Sequence, residues 1–169
     1  MRWARRMRPP QMANPANADV MGQAPSAVLF ACTMNAVRSP AAAAILRHLA
    51  GRTIYVESAG IRRGEHDLFI NAVMEEIGID MSHHRPHTLA DLNDTLFDLI
   101  VTLSPEAHHQ ALELTRTMAV EVEYWATLDA TVMVGQGNRE QTLDAYRSVR
   151  DQLFNRIIQR FNLRGGPTV

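Results

Sequence analysis

One stretch of the sequence limits the possible folds of this chain most. It is an apolar, β-type run that ends on a cysteine and is followed within a few residues by the start of a helix. Residues 28–32 read V-L-F-A-C, and Arg38-Ser39-Pro40 follow directly before an alanine-rich stretch. Serine followed by proline is typical of a helix N-terminus, with Ser39 as the N-cap and Pro40 as the first helical residue. The pattern predicts a strand, a short loop and a helix, with backbone N–H groups and the positive helix end around Cys32.

Strand and helix patterns alternate along the rest of the chain. β-type runs at 53–58, 99–103 and 119–125 are separated by helical patterns at 40–50, 66–77, 105–115 and 140–161. Four strands joined by helices predict a parallel sheet with helices on both faces. The ligand crevice of such a sheet lies at the carboxyl ends of its strands, which is where Cys32 falls.

Length and composition set the broad class. The 169 residues, 46% hydrophobic and 21% charged, suit one globular domain with a sizeable core. A net charge of −1 gives no reason to expect nucleic acid or an anionic membrane as the main partner. The single cysteine excludes an internal disulfide and fits a reducing compartment, so we expect a cytoplasmic protein.

The first 25 residues differ from the remainder. They are rich in arginine and proline and have no periodic apolar pattern, which predicts a disordered tail at 1–25 before a single α/β domain at 26–169. A basic targeting or anchoring arm is the alternative. Translation that begins at Met12 or Met21 would also explain the segment.

The loop between Cys32 and Arg38 suits an oxyanion. A loop this short can turn several N–H groups inward, and the planar guanidinium of Arg38 grips two anion oxygens at once. The same groups stabilise a Cys32 thiolate, which is then poised for in-line attack at phosphorus. Ser39 can donate to the sulfur and ease its departure. The alternative is a buried structural cysteine, but the strand before it and the helix after it favour the functional interpretation.

These features resemble the low-molecular-weight protein tyrosine phosphatase family, which shares its fold with thioredoxin-coupled arsenate reductases. The family loop usually reads C-x-G-N-x-x-R-S, and Met34 stands where its glycine is usual. Val37 takes the position of a second cysteine that many members carry. The sequence also carries V-x-S-A-G at 56–60, G-I-D-x-S at 78–82 and D-L-I at 98–100. The loop matches are Cys32, Asn35, Arg38 and Ser39.

The resemblance covers about residues 27–162 and implies a three-layer α/β sandwich of flavodoxin-like topology. Its four-stranded parallel sheet would have the order 2-1-3-4, with helices on both faces. The implied activity is cysteine-dependent hydrolysis of phosphorylated proteins or small phosphoesters, with no cofactor, metal, nucleic acid or membrane partner. Cys32 and Arg38 would be catalytic. The phosphate would lie on the loop formed by Thr33, Met34, Asn35, Ala36, Val37 and Ser39.

Family members hold the loop asparagine with the serine of the S-A-G motif and a histidine after the second helix. Carried over, Ser58 and His84 would support Asn35, although His83 is adjacent and leaves the register open. Asparagine also tolerates the left-handed backbone that a tight loop requires. A metal site among His83, His84 and His87 is the alternative, but no paired cysteine and no evident carboxylate partner accompany them in this loop.

A phosphoester also needs a proton donor for its leaving oxygen. The family places an aspartate between the fourth strand and the last helix, usually followed by proline and an aromatic residue. Asp129 is the only acidic residue between Trp125 and Glu140, so it is the predicted acid. Ala130 replaces the proline, and no aromatic follows. The alternative is that Asp129 only caps a turn.

Three functions are compatible with these residues. Ester hydrolysis through a phosphocysteine comes first, although the missing aromatic weakens the case for phosphotyrosine as substrate. Arsenate reduction would need an external thiol because the chain has one cysteine. A catalytically weak anion-binding module is the third, suggested by Met34 and Ala130.

Overall fold

Four parallel strands form one sheet in the order β2-β1-β3-β4 in the computed structural model, which describes residues 24–93 and 96–163. The strands are β1 Ala27–Cys32, β2 Tyr55–Gly60, β3 Leu99–Thr102 and β4 Glu121–Tyr124. The helices are α1 Arg38–Ala50, α2 Leu68–Glu75, α3 Pro105–Leu114 and α4 Arg139–Arg160, with short 3-10 turns at Leu89–Asp91 and Ala130–Met133. The predicted fold class and strand order are confirmed. Of the predicted tail at 1–25, residues 1–23 lie outside the described residues.

The inner strand β1 contributes side chains to a hydrophobic core on each face of the sheet. Val28, Phe30 and Cys32 pack with residues of α1, α2 and α4, whereas Leu29 and Ala31 pack with residues of α3. This alternation follows from the two-residue period of a strand, and burial on both faces explains why β1 is apolar throughout. None of the helices in the described chain is long and apolar enough to cross a membrane.

The ends of the elements differ from their predicted ranges by one or two residues. β2 is Tyr55–Gly60 rather than 53–58, and it reaches Gly60 because that residue pairs in register with Cys32 at the end of β1. α2 is shorter than the predicted 66–77, because the Asp67 side chain accepts a hydrogen bond from the Ile70 backbone N–H and caps the helix there. The parallel strands bring the loops after β1, β3 and β4 to one edge of the sheet, where the site lies.

Candidate active site

Cys32 and Ser39 face each other across the loop between β1 and α1. The Cys32 Sγ and Ser39 Oγ atoms are 2.9 Å apart, and both residues are buried. The Asn35 amide donates to Ser39 Oγ at 2.9 Å, so the single serine hydrogen has two acceptors in reach, the Cys32 sulfur and the Ala59 carbonyl at 3.4 Å. The prediction that Ser39 is the N-cap is wrong. Helix α1 begins at Arg38, without a side-chain cap, and the serine hydroxyl lies against the sulfur instead.

Asn35 connects the loop to its surroundings. Its φ is 52°, in the left-handed region that asparagine tolerates. Its side-chain amide donates to Ser58 Oγ at 2.9 Å, and its Oδ1 accepts from the His87 backbone N–H at 3.0 Å. His84 Nε2 lies 2.8 Å from the Asn35 backbone carbonyl. The structure thus brings Ser58 and His84 to Asn35, with the histidine on the backbone rather than on the side chain.

The surroundings of His84 favour the neutral form of its ring. Burial lowers the pKa of His84 below its ordinary value, although the hydrogen bond to the Asn35 carbonyl opposes the shift. A carbonyl only accepts, so Nε2 carries the hydrogen in this contact. The exposed neighbour His83 makes no such contact. No group of three or more His, Cys, Asp or Glu side chains in the described residues is placed to hold a metal ion.

The backbone N–H groups of this loop, those of residues 33–37, have no acceptor in the described protein. They are therefore available to a ligand. Gly60 packs against this loop, and a Cβ atom there would lie 2.9 Å from the Asn35 backbone nitrogen. Asn35 and Asn162 are the non-glycine residues with positive φ among those described, so Met34 has an ordinary backbone. The glycine of the family pattern is therefore not required at this position.

Arg38 reaches from α1 to two other loops. Its Nη1 donates to the Leu103 carbonyl at 3.4 Å and to the Thr127 carbonyl at 3.2 Å. Its Nη2 lies 3.9 Å from Asp129 Oδ2, and only 11% of the arginine side chain is exposed. The two carbonyl contacts were not predicted, since a main-chain acceptor carries no side-chain signature in the sequence.

Asp129 both caps a turn and lines the pocket that contains Cys32. It precedes the 3-10 turn Ala130–Met133, and its Oδ1 accepts from the Thr131 backbone N–H. The same side chain lines one small pocket with Cys32, Arg38 and Thr131. The two interpretations of Asp129 from the sequence are therefore compatible in one geometry. Thr131 was not predicted as part of the site, because the resemblance leads one to look for an aromatic residue there.

A thiol, a guanidinium and a carboxyl line one small pocket at the carboxyl ends of the strands in this parallel α/β domain. The sequence matches the family described as low molecular weight phosphotyrosine protein phosphatase over residues 27–162. The chain belongs to this family.

Relatives of two kinds are similar to this chain. An arsenate reductase of Bacillus subtilis is 34% identical over 134 residues, covering 77% of this chain and 91% of the relative. The structure of an arsenate reductase in a phosphate-binding state is 26% identical, with a TM-score of 0.62 over 81% of this chain and 97% of that one. A tyrosine phosphatase of Erwinia amylovora is 19% identical, with a TM-score of 0.64 over 86% and 97%, and shows the fold alone. The comparisons support an enzyme and leave ester hydrolysis and arsenate reduction as candidate reactions.

Proposed function

We propose that this chain is a cysteine-dependent phosphomonoester hydrolase that works through a phosphocysteine intermediate. The observation that carries the proposal is the convergence of Cys32, Arg38 and Asp129 on one pocket. Nucleophile, anion clamp and proton donor are the three groups that hydrolysis of a phosphomonoester through a phosphocysteine uses. In this proposal Ser39 stabilises the sulfur as the leaving group, and Ser58 and His84 hold the loop.

The reaction would proceed in two displacements. The Cys32 thiolate attacks phosphorus and forms the S–P bond while the ester P–O bond breaks, and Asp129 gives its proton to the leaving oxygen. Water then attacks the phosphocysteine, and its proton passes to the Asp129 carboxylate. The S–P electron pair returns to sulfur, where the hydroxyl of Ser39 donates a hydrogen bond. Arg38 and the loop N–H groups bind the phosphoryl oxygens through both steps.

The substrates we propose are phosphorylated proteins or small phosphoesters. The pocket is lined by Met34 and Thr131, and no aromatic residue follows Asp129. Without an aromatic wall at that position, the site has less reason to prefer phosphotyrosine over other phosphomonoesters. We further propose that the reaction needs no cofactor and takes place in the cytoplasm.

Arsenate reduction is the second candidate, favoured by the names of similar proteins. Arsenate resembles phosphate, so the same loop would present it to the Cys32 thiolate. Reduction to arsenite takes two electrons from two thiols, and Cys32 is the only thiol in this sequence. An external thiol would have to supply the second sulfur.

One assay separates the two reactions. Wild type and Cys32→Ser are given a panel of aryl and alkyl phosphates, and arsenate with and without a dithiol. The proposal predicts ester hydrolysis by the wild type that is lost in Cys32→Ser. Arsenite formation that requires the dithiol, without ester hydrolysis, would instead identify an arsenate reductase. A wild type that is inactive in both assays would indicate an anion-binding module.

A further inference from the structure

The two carboxylate oxygens of Asp129 have different surroundings. Oδ1 accepts from the Thr131 backbone N–H at 3.0 Å and from the Thr131 hydroxyl at 2.6 Å. Oδ2 lies on the side of Arg38, 3.9 Å from Nη2. A hydroxyl-to-carboxylate distance of 2.6 Å is typical of a charge-assisted hydrogen bond. Thr131 therefore holds one oxygen and leaves the other toward the anion site.

We infer that Thr131 is a positioning residue for Asp129, fixing the carboxyl group so that Oδ2 is the oxygen that exchanges protons with the substrate. The inference rests on the proposed function, because it concerns the acid of that reaction. Any residue except proline can offer the backbone N–H of this turn, whereas the second bond to Oδ1 needs a side chain that donates, here the Thr131 hydroxyl. The identity of residue 131 thus matters.

The sequence around Asp129 explains why such a bond is useful here. Ala130 does not restrict the backbone as the usual proline of this position would, and 42% of the Asp129 side chain is exposed. An exposed carboxyl on a less restricted turn has several rotamers available. The Thr131 hydroxyl selects one of them, and it stabilises the carboxylate that remains after the proton has gone to the leaving oxygen.

The test compares Thr131→Val, which removes the hydroxyl at similar size, with Thr131→Ser, which restores it. Thr131 is exposed, so neither change should unfold the protein. Thr115→Val is the matched control, because Thr115 is an exposed threonine whose hydroxyl donates to the Leu112 carbonyl at the far end of α3. Asp129→Ala is included to measure the acid itself. For each variant kcat and KM are measured with an alkyl phosphate and with nitrophenyl phosphate.

Thr131→Val should lower kcat for the alkyl phosphate about tenfold, a part of the roughly hundredfold to ten-thousandfold that general acid catalysis supplies. The nitrophenyl ester, whose leaving group hardly needs a proton, should be much less affected, and KM should not change. Thr131→Ser should restore the alkyl phosphate rate, and Thr115→Val should behave as wild type. A wild-type rate for Thr131→Val, beside a slow Asp129→Ala, would overturn the inference and leave the proposed function intact. Equal loss on both esters, or a change in KM alone, would also overturn it.

A crystal structure of Thr131→Val tests the positioning independently of activity. The inference predicts that the Asp129 carboxyl turns away from the orientation seen here, while in Thr131→Ser it stays. A carboxyl that keeps its orientation in Thr131→Val overturns the inference, even if the wild type proves inactive on every ester and the proposed function fails.

Discussion

At the scale of single residues, two carbonyl groups from different loops hold the guanidinium of Arg38. The Leu103 carbonyl follows β3 and the Thr127 carbonyl follows β4, and both accept from Nη1. This leaves Nη2 and Nε for an anion in front of Cys32. A planar guanidinium can satisfy both sets of partners at once, whereas an ammonium group presents its donors around one point.

Arg38→Lys should therefore lower kcat/KM on phosphoesters by about a hundredfold, the order of loss seen when one preorganised oxyanion donor is removed. Steady-state kinetics with an aryl phosphate measure the loss. Arg116→Lys, at an exposed arginine paired with Glu113, is the matched control and should retain wild-type activity. Near-wild-type kinetics for Arg38→Lys would mean that the anion does not bind beside this side chain.

At the scale of secondary-structure elements, the segment after α2 supports the loop between Cys32 and Arg38. His84 donates to the backbone of Asn35, and the His87 backbone N–H donates to its side chain. Because burial lowers the pKa of His84, the unfolded chain binds a proton more readily than the folded one in the pH range just below the ordinary histidine value. The contribution of His84 to stability is then present near neutral pH and is lost as the pH falls.

The free energy of unfolding should decrease as the pH is lowered from about 7 through 6.5, the ordinary histidine value, and beyond. His84→Gln keeps a side-chain donor but does not titrate, so its stability should depend less steeply on pH in this range. Denaturant unfolding between pH 5 and 7.5 measures both slopes. His83→Gln, at the exposed neighbour, is the control and should follow the wild type. Identical slopes for wild type and His84→Gln would contradict the role of burial.

The turn that carries Asp129 has a backbone that proline would accept. Asp129 is extended, with φ −86° and ψ 103°, and a residue before proline prefers this region. No hydrogen bond among the described residues uses the Ala130 N–H. Ala130→Pro should therefore raise kcat on alkyl phosphates about twofold to fivefold, because proline limits the backbone conformations that the turn can adopt. Lower activity together with a lower melting temperature would show that the buried position cannot hold the ring.

Some parts of the site could be predicted from the sequence and others could not, for a physical reason. Cys32, Ser39 and Asn35 lie on a strand–loop–helix unit whose pattern is local, so their proximity follows from the sequence. The contacts of Arg38 to the Leu103 carbonyl and of Asn35 to a backbone N–H join distant segments through main-chain groups, which every residue has. Thr131 was missed because the resemblance leads one to look for an aromatic residue at that position, and a threonine near an aspartate is also common in turns.

The whole molecule is organised around β1. Its position between β2 and β3 gives each face a core and brings the loop after Cys32 beside the loops after β3 and β4, which contribute the Arg38 contacts and Asp129. The alternation of strands and helices predicted a parallel sheet with helices on both faces, and the resemblance to the family implied the strand order. The ends of the elements were less predictable, because local caps such as Asp67 determine where a helix begins.

A chain that begins at Gly22 should keep both the melting temperature and the esterase activity of the full chain. The segment before it has no apolar periodicity that would pack against a core, and β1 begins only at Ala27. Thermal unfolding and aryl phosphate kinetics on the two chains provide the comparison. A substantially lower melting temperature in the shortened chain would mean that the first residues pack on the domain.

Trapping the phosphocysteine tests the central claim most directly. Asp129→Ala is mixed with nitrophenyl phosphate, whose departure needs no acid, so that the first displacement proceeds while attack of water on the intermediate is slowed. A denaturing alkaline quench and mass spectrometry then locate the phosphoryl group. The proposed mechanism predicts a phosphoryl group on Cys32, and none when Cys32→Ser is added to the same chain. Turnover with the phosphoryl group on another residue, or nitrophenol release that survives Cys32→Ser, would contradict it.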